Sequence, residues 1–140
     1  MTSTDREALR QQLVLHEGTR LFPYVDSVGK TSIGTGRNLT DRGITDAEAR
    51  YLLDNDINVA LGSLQMFPWF PTLDTVRQRA LIDLCFNLGI TRLLGFQKCL
   101  AACAEKNWPM AAHHLLDSKY ATQVGQRAVT LARMLETGQA

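Results

Sequence analysis

A mostly helical α+β protein with one small sheet is the fold this sequence predicts, and three observations predict it. Between Leu21 and Thr35 two short runs alternate with a period of two around a turn-forming segment, the pattern of a β-hairpin. From Thr45 onward the apolar residues recur at helical spacing in one segment after another. No internal repeat, low-complexity tract or linker-like stretch divides the 140 residues. They read as one domain with two lobes and a cleft between them. The small lobe spans about 17–56; the helical lobe spans about 62–140 and takes in the N-terminal helix.

Taken in order, Thr4-Asp5-Arg6-Glu7 has the form of a capping box that starts a helix. Leu9 and Leu13 follow on one face, Glu17 continues that face, and Gly18 is the stop. Leu21, Pro23 and Val25 then alternate with Phe22, Tyr24 and Asp26. Asp26-Ser27-Val28-Gly29-Lys30 carries turn chemistry, and Thr31 to Thr35 resumes an extended pattern. A second capping box, Thr45-Asp46-Ala47-Glu48, opens a helix whose stripe is Leu53, Ile57, Ala60, Leu61 and Leu64. Met66 to Pro71 is an aromatic, proline-bounded loop, where Trp69 either stacks on a sugar or packs against a lobe. Val76, Ala80, Leu81, Leu84 and Leu88 define the central helix of the larger lobe, ended by Gly89. Shorter helices are expected at 91–94, 96–105, 109–116 and 126–135.

The chemistry concentrates at Glu17 to Gly36. An acid in line with an apolar stripe is expected to face the interior, where desolvation favours its protonated form and suits a proton donor. The plainer alternative is a glutamate at a helix end held by an arginine. The hairpin turn brings Asp26 and Ser32 close to being cross-strand neighbours. Gly34 and Gly36 weaken a strand, which points to a close approach by something else, a sugar chain or another segment of the protein.

Glu17, eight residues, Asp26, five residues, Ser32, then Ile33-Gly34-Thr35-Gly36 resembles the pattern of the phage-type lysozymes, endolysins of glycoside hydrolase family 24. The resemblance continues through Gly43-Ile44-Thr45-Asp46-Ala47-Glu48-Ala49, Phe86-Asn87-Leu88-Gly89, Gly95-Phe96, Trp108 and Gln126-Arg127-Ala128, and so covers nearly the whole chain. It implies a lysozyme-like two-lobed fold. The implied activity is a muramidase that cuts the β-1,4 bond between N-acetylmuramic acid and N-acetylglucosamine by an inverting displacement. Glu17, Asp26 and Ser32 would be catalytic, with Gly34, Gly36, Asn87, Phe96, His114 and Arg127 contacting the glycan strand. Arg127 holds the position at which the family places an arginine near the catalytic glutamate. No metal and no cofactor are expected. Three departures stand out: Ser32 where the family usually has Thr, Arg37 where it commonly has His, and a shorter stretch between Gly36 and Gly43.

Bulk properties fit this reading. Hydrophobic content of 45% and charged content of 21% are ordinary for a globular domain, and the net charge of +1 gives no global field for nucleic acid. From Arg77 onward eight Lys or Arg face four Asp or Glu, a modest basic bias that suits an anionic wall polymer. Cys99 and Cys103 are four apart, with His113 and His114 about ten residues on; buried reduced thiols explain them better than a metal site. No signal peptide and no membrane-spanning run is read. The expectation is a monomer without stable membrane association, made in the host cytoplasm, released with the help of a holin and acting on the wall in the periplasm. Two other classes explain less of the sequence. A helix-turn-helix DNA binder in the helical tail leaves the hairpin and its acids unexplained. A wall-binding module that no longer cuts leaves two acids and a hydroxyl without a role.

Overall fold

The first helix, α1 (Ser3–Glu17), begins earlier than the expected capping box. Thr2 is the N-cap: its hydroxyl accepts the Asp5 N–H at 3.1 Å, and the Asp5 carboxylate takes the Thr2 N–H at 3.0 Å. Thr2 and Asp5 thus form the box, not Thr4 and Glu7, because Glu7 is drawn to Arg10 at 2.7 Å. This computed structural model describes residues 1–140, and the chain divides into two compact units, Met1–Arg50 and Tyr51–Ala140.

In the first unit α1 is followed by three antiparallel strands in the order β1-β2-β3: β1 (Arg20–Val25), β2 (Thr31–Gly34) and β3 (Arg37–Asn38). The expected hairpin is β1 and β2, with Tyr24 opposite Ser32 and Val25 opposite Thr31. β3 was not expected, being two residues long and too short to show alternation. It returns through Thr35-Gly36, with Gly36 at φ +75°, and pairs Asn38 with Ser32 and Arg37 with Ile33. Asn38 then caps a single turn, α2 (Leu39–Arg42), by accepting the Asp41 N–H at 2.9 Å.

Arg37 and Glu48 tie this unit across eleven residues. Nη1 and Nη2 meet the two carboxylate oxygens at 2.7 and 2.6 Å, and Nη1 also donates to the Gly43 carbonyl at 3.2 Å. Glu48 completes the second capping box as well, taking the Thr45 N–H at 2.8 Å while its own N–H donates to the Thr45 hydroxyl at 3.2 Å. The Arg37 fork and the Thr45 amide hold the Glu48 carboxyl down at about 2, against an ordinary 4.5. A depressed carboxylate contributes stability that is full above about pH 4.5 and is lost as the pH falls toward about 2. The difference in thermal midpoint between wild type and Glu48→Gln is therefore expected to shrink through that window. A difference that stays constant in an acid titration of both proteins would refute the pairing.

A longer helix, α3 (Asp46–Leu64), leads into the second unit. There follow a 3-10 turn at Phe70–Thr72, α4 (Thr75–Leu88), α5 (Ile90–Leu94), α6 (Gln97–Ala104), α7 (Trp108–Leu116), α8 (Lys119–Val124) and α9 (Gln126–Thr137). Phe70, Leu64, Leu81, Leu84, Leu93, Leu115 and Leu135 are fully buried in one core, with α4 and α7 packed on α9 and α6 packed on α7. The α3 stripe is only partly used: Ala60 and Leu64 are buried, whereas Leu53 is exposed. Trp69 stacks on Phe67 at 5.0 Å and packs against the core, the second of its two expected roles. α8 was missed, since only Tyr120 of its six residues is buried; Ser118 starts it by accepting the Ala121 N–H at 3.2 Å.

Cys85, Cys99 and Cys103 are free and buried. The Cys99 thiol donates to the Ala111 carbonyl at 3.4 Å, and the Cys103 thiol is pushed well above its ordinary range by Cys99 beside it and by burial. Arg77, near the start of α4, reaches the far end of α9. Its Nε donates to the Leu135 carbonyl at 2.7 Å and its Nη2 to the Glu136 carbonyl at 3.0 Å. Nη1 meets Asp74, the N-cap of α4, at 2.9 Å, and the guanidinium lies 4.2 Å above the Trp108 ring.

Candidate active site

Glu17 is the last residue of α1, and the helix stops where expected. Gly18 follows at φ +71°, ψ 176°, a region essentially closed to residues with a Cβ, and its N–H closes the last turn onto Val14 at 2.8 Å. Glu17 does not face an interior, however: α1 has no buried residue, and Leu9 and Leu13, the stripe it was aligned with, are themselves exposed. The Glu17 side chain lies beside the turn after β2. A Cβ at Gly36 would stand 3.6 Å from Glu17 Oε2, so the carboxylate rests against the bare Gly36 backbone. The Thr19 and Thr35 hydroxyls, 3.0 Å apart, stitch the chain after α1 to the same turn. A Cβ at Gly36 would meet Glu17 only at ordinary contact distance, so what asks for glycine there is the backbone at φ +75°, and not the close approach that the sequence pointed to. Gly34 at φ +68° has nothing within 4 Å of its missing side chain.

Asp26 builds the hairpin turn with its own side chain. Its Oδ1 accepts the N–H of Val28 at 3.0 Å and of Lys30 at 2.8 Å, while its backbone N–H donates to the Lys30 carbonyl at 2.8 Å. Asp26 therefore stands opposite Lys30, and Ser32 opposite Tyr24. Asp26 and Ser32 are not direct partners but diagonal neighbours on one face, a separation of about 7–8 Å between Cα atoms in a regular ladder. Ser32 is buried, 4% exposed, which is the setting for a hydroxyl with a fixed task. Arg37, where a histidine was the expected family residue, is fully engaged by Glu48 and Gly43.

The other predicted contacts lie in the second unit. Phe96 and His114 line one open recess of about 670 Å³ together with Arg92, Lys98, His113 and Asp117. Phe96 meets Tyr120 edge-on at 6.1 Å. Asn87 is exposed on α4 and lines no recess with them. Arg127, in the first turn of α9, is held by Asp83 of α4: Nε and Nη2 reach the same Oδ1 at 2.8 and 2.7 Å. Sequence reasoning passed over Asp83. Its signal was present, since it is the lone acid between Asp74 and Glu105, in the middle of an apolar helix. Next to these charges Tyr120 keeps its hydroxyl buried without a partner, and burial raises its pKa.

Two acids and a buried hydroxyl, arranged on a helix end and one hairpin, are groups with which a glycosidic bond can be protonated and a water directed. Comparison with known proteins gives the same direction. The phage lysozyme family matches residues 14–134. Two relatives from Dictyostelium discoideum, probable T4-type lysozyme 1 and probable T4-type lysozyme 2, are each 27% identical over 161 aligned positions, covering 94% of this chain and 95% of each relative. An alignment longer than the 140-residue chain means that the relatives carry residues this chain lacks. With 121 of its 140 residues inside the family's span (14 to 134 inclusive), this chain belongs to the phage lysozyme family, peptidoglycan-directed glycoside hydrolases of the muramidase type.

Proposed function

We propose that the protein hydrolyses the β-1,4 bond between N-acetylmuramic acid and N-acetylglucosamine by a single displacement with inversion, and that it does so to lyse a host bacterial cell. The glycosidic oxygen is a poor leaving group until protonated, and Glu17 donates that proton. Asp26 takes a proton from a water as the water oxygen attacks the anomeric carbon, and it stabilises the positive charge that develops there. Ser32 holds the same water. Exchange with solvent then returns the proton to Glu17. The observation that carries this reading is the hairpin itself. The turn uses Oδ1 of Asp26 and the buried Ser32 shares its face, so a water placed between them would have a base on one side and a hydroxyl on the other.

Gly34, Gly36, Asn87, Phe96, His114 and Arg127 contact the glycan strand in this reading. The enzyme works as a monomer without metal or cofactor. It binds neither nucleic acid nor, stably, a membrane, and no helix is long and apolar enough to cross one. It is made in the host cytoplasm and reaches the periplasmic face of the wall with the help of a holin.

The stereochemistry tests the mechanism. Proton NMR within the first minutes of cleavage, before mutarotation, is expected to show the α-anomer as the first product, with no glycosyl-enzyme adduct. Initial β-anomer, or a sugar trapped on Asp26, would take the water-activating role away from that residue.

A further inference from the structure

Arg127 stands where a cation is electrostatically out of place. It lies in the first turn of α9, a helix start that Gly125 leaves without a side-chain cap, so unsatisfied amides and the helix dipole already supply positive charge there. Asp83, reaching from α4 across 44 positions of sequence, offsets that charge in a specific geometry. Nε donates to one carboxylate oxygen at 2.8 Å, Nη2 lies 2.7 Å from the same oxygen as an ion pair, and Nη2 donates to the Asp83 carbonyl at 3.5 Å. A guanidinium has five N–H donors in a rigid plane. Asp83 therefore fixes one edge of the plane and leaves the Nη1 edge free. Both side chains are close to 40% exposed, at 39% and 43%. An ion pair so open to water stabilises a fold very little, so the fixed geometry of this pair is not explained by stability alone.

We propose that Asp83 is a positioning residue for Arg127. It clamps the Nε edge so that the Nη1 edge projects as a fixed donor pair, and it cancels the cation's net charge. The donor pair then suits uncharged oxygens of a sugar chain, such as hydroxyl, ring or acetamide oxygens, better than a free anion. This inference rests on the reading of Arg127 as a glycan contact.

Steady-state kinetics on solubilised glycan strands test it, with the thermal midpoint measured for every variant. Arg127→Ala is expected to raise KM about tenfold or more with a smaller change in kcat, as loss of a charged hydrogen-bond donor does. Asp83→Ala is expected to do the same, and the double variant to be no worse than Arg127→Ala alone. Asp83→Asn keeps an acceptor at Oδ1 and is expected to fall between wild type and Asp83→Ala in KM. It also supplies the measurement if the alanine variant does not fold. If Arg127→Ala raises KM and neither Asp83 variant does, the clamp is wrong and Arg127 remains a contact. Losses that add in the double variant also sink the clamp, because Asp83 then acts by some other route. Wild-type KM in Arg127→Ala removes both ideas together.

Discussion

Replacing Glu17 by glutamine is expected to slow the clearing of permeabilised Gram-negative cells at least about a hundredfold, the scale on which general acid catalysis acts. The same change is expected to leave the fold intact. Glutamine is nearly isosteric, Glu17 is exposed, and its side chain meets the turn only through the bare backbone at Gly36. A turbidity assay beside a thermal melt separates the two effects. A folded variant that clears cells at the wild-type rate would remove Glu17 from the mechanism. A variant that binds the cells and pellets with them without clearing is the expected picture of a site that has lost its proton donor alone.

The largest effect on stability is expected at Arg77. Its side chain is only 15% exposed and does three things at once. It donates to the last carbonyls of α9, where a cation also meets the negative end of the helix dipole; it holds the N-cap Asp74 of α4; and it covers the face of Trp108. Arg77→Ala strips those carbonyls of their donors and uncovers the indole, a loss of about 3 kcal/mol when charged hydrogen bonds and a cation–π contact go together. For a domain of this size that is a fall of roughly 10 °C in the thermal midpoint. Arg77→Lys keeps the charge but cannot reach two carbonyls and lie flat on a ring, so it should recover less than half of the loss. A melt within about 2 °C of wild type for the alanine variant would show that the tie is dispensable.

Local signals in the sequence located most of what is local in the structure. The turn residues Asp26 and Gly29 sit in the turn, Thr45 and Glu48 form their capping box, and Gly89 ends α4 at φ +76°. The spacing from Glu17 through Gly36 is that of the family to which the chain belongs. What the sequence hid falls into two kinds. Elements of two to six residues, β3, α2 and α8, are too short to show a period and are specified by partners such as Thr40, whose hydroxyl takes the Thr31 N–H at 2.9 Å. Pairs distant along the chain, Arg37 with Glu48 and Arg127 with Asp83, leave no trace in either segment alone. The expected burial of Glu17 failed for a different reason. Leu9 and Leu13 made a stripe at the right spacing, but spacing says only which residues share a face, not that anything covers it.

The turn at Asp26 places one side chain under two separate demands. The hairpin needs an oxygen at Oδ1 to gather the amides of Val28 and Lys30, and an amide oxygen serves that purpose as well as a carboxylate. The proposed chemistry needs the negative charge, which the turn does not. Exchange of one carboxylate oxygen for an NH₂ group would thus leave the architecture standing and silence the reaction. On the proposed mechanism, a cutter of peptidoglycan and a protein that merely holds it are then neighbours in sequence space, one substitution apart.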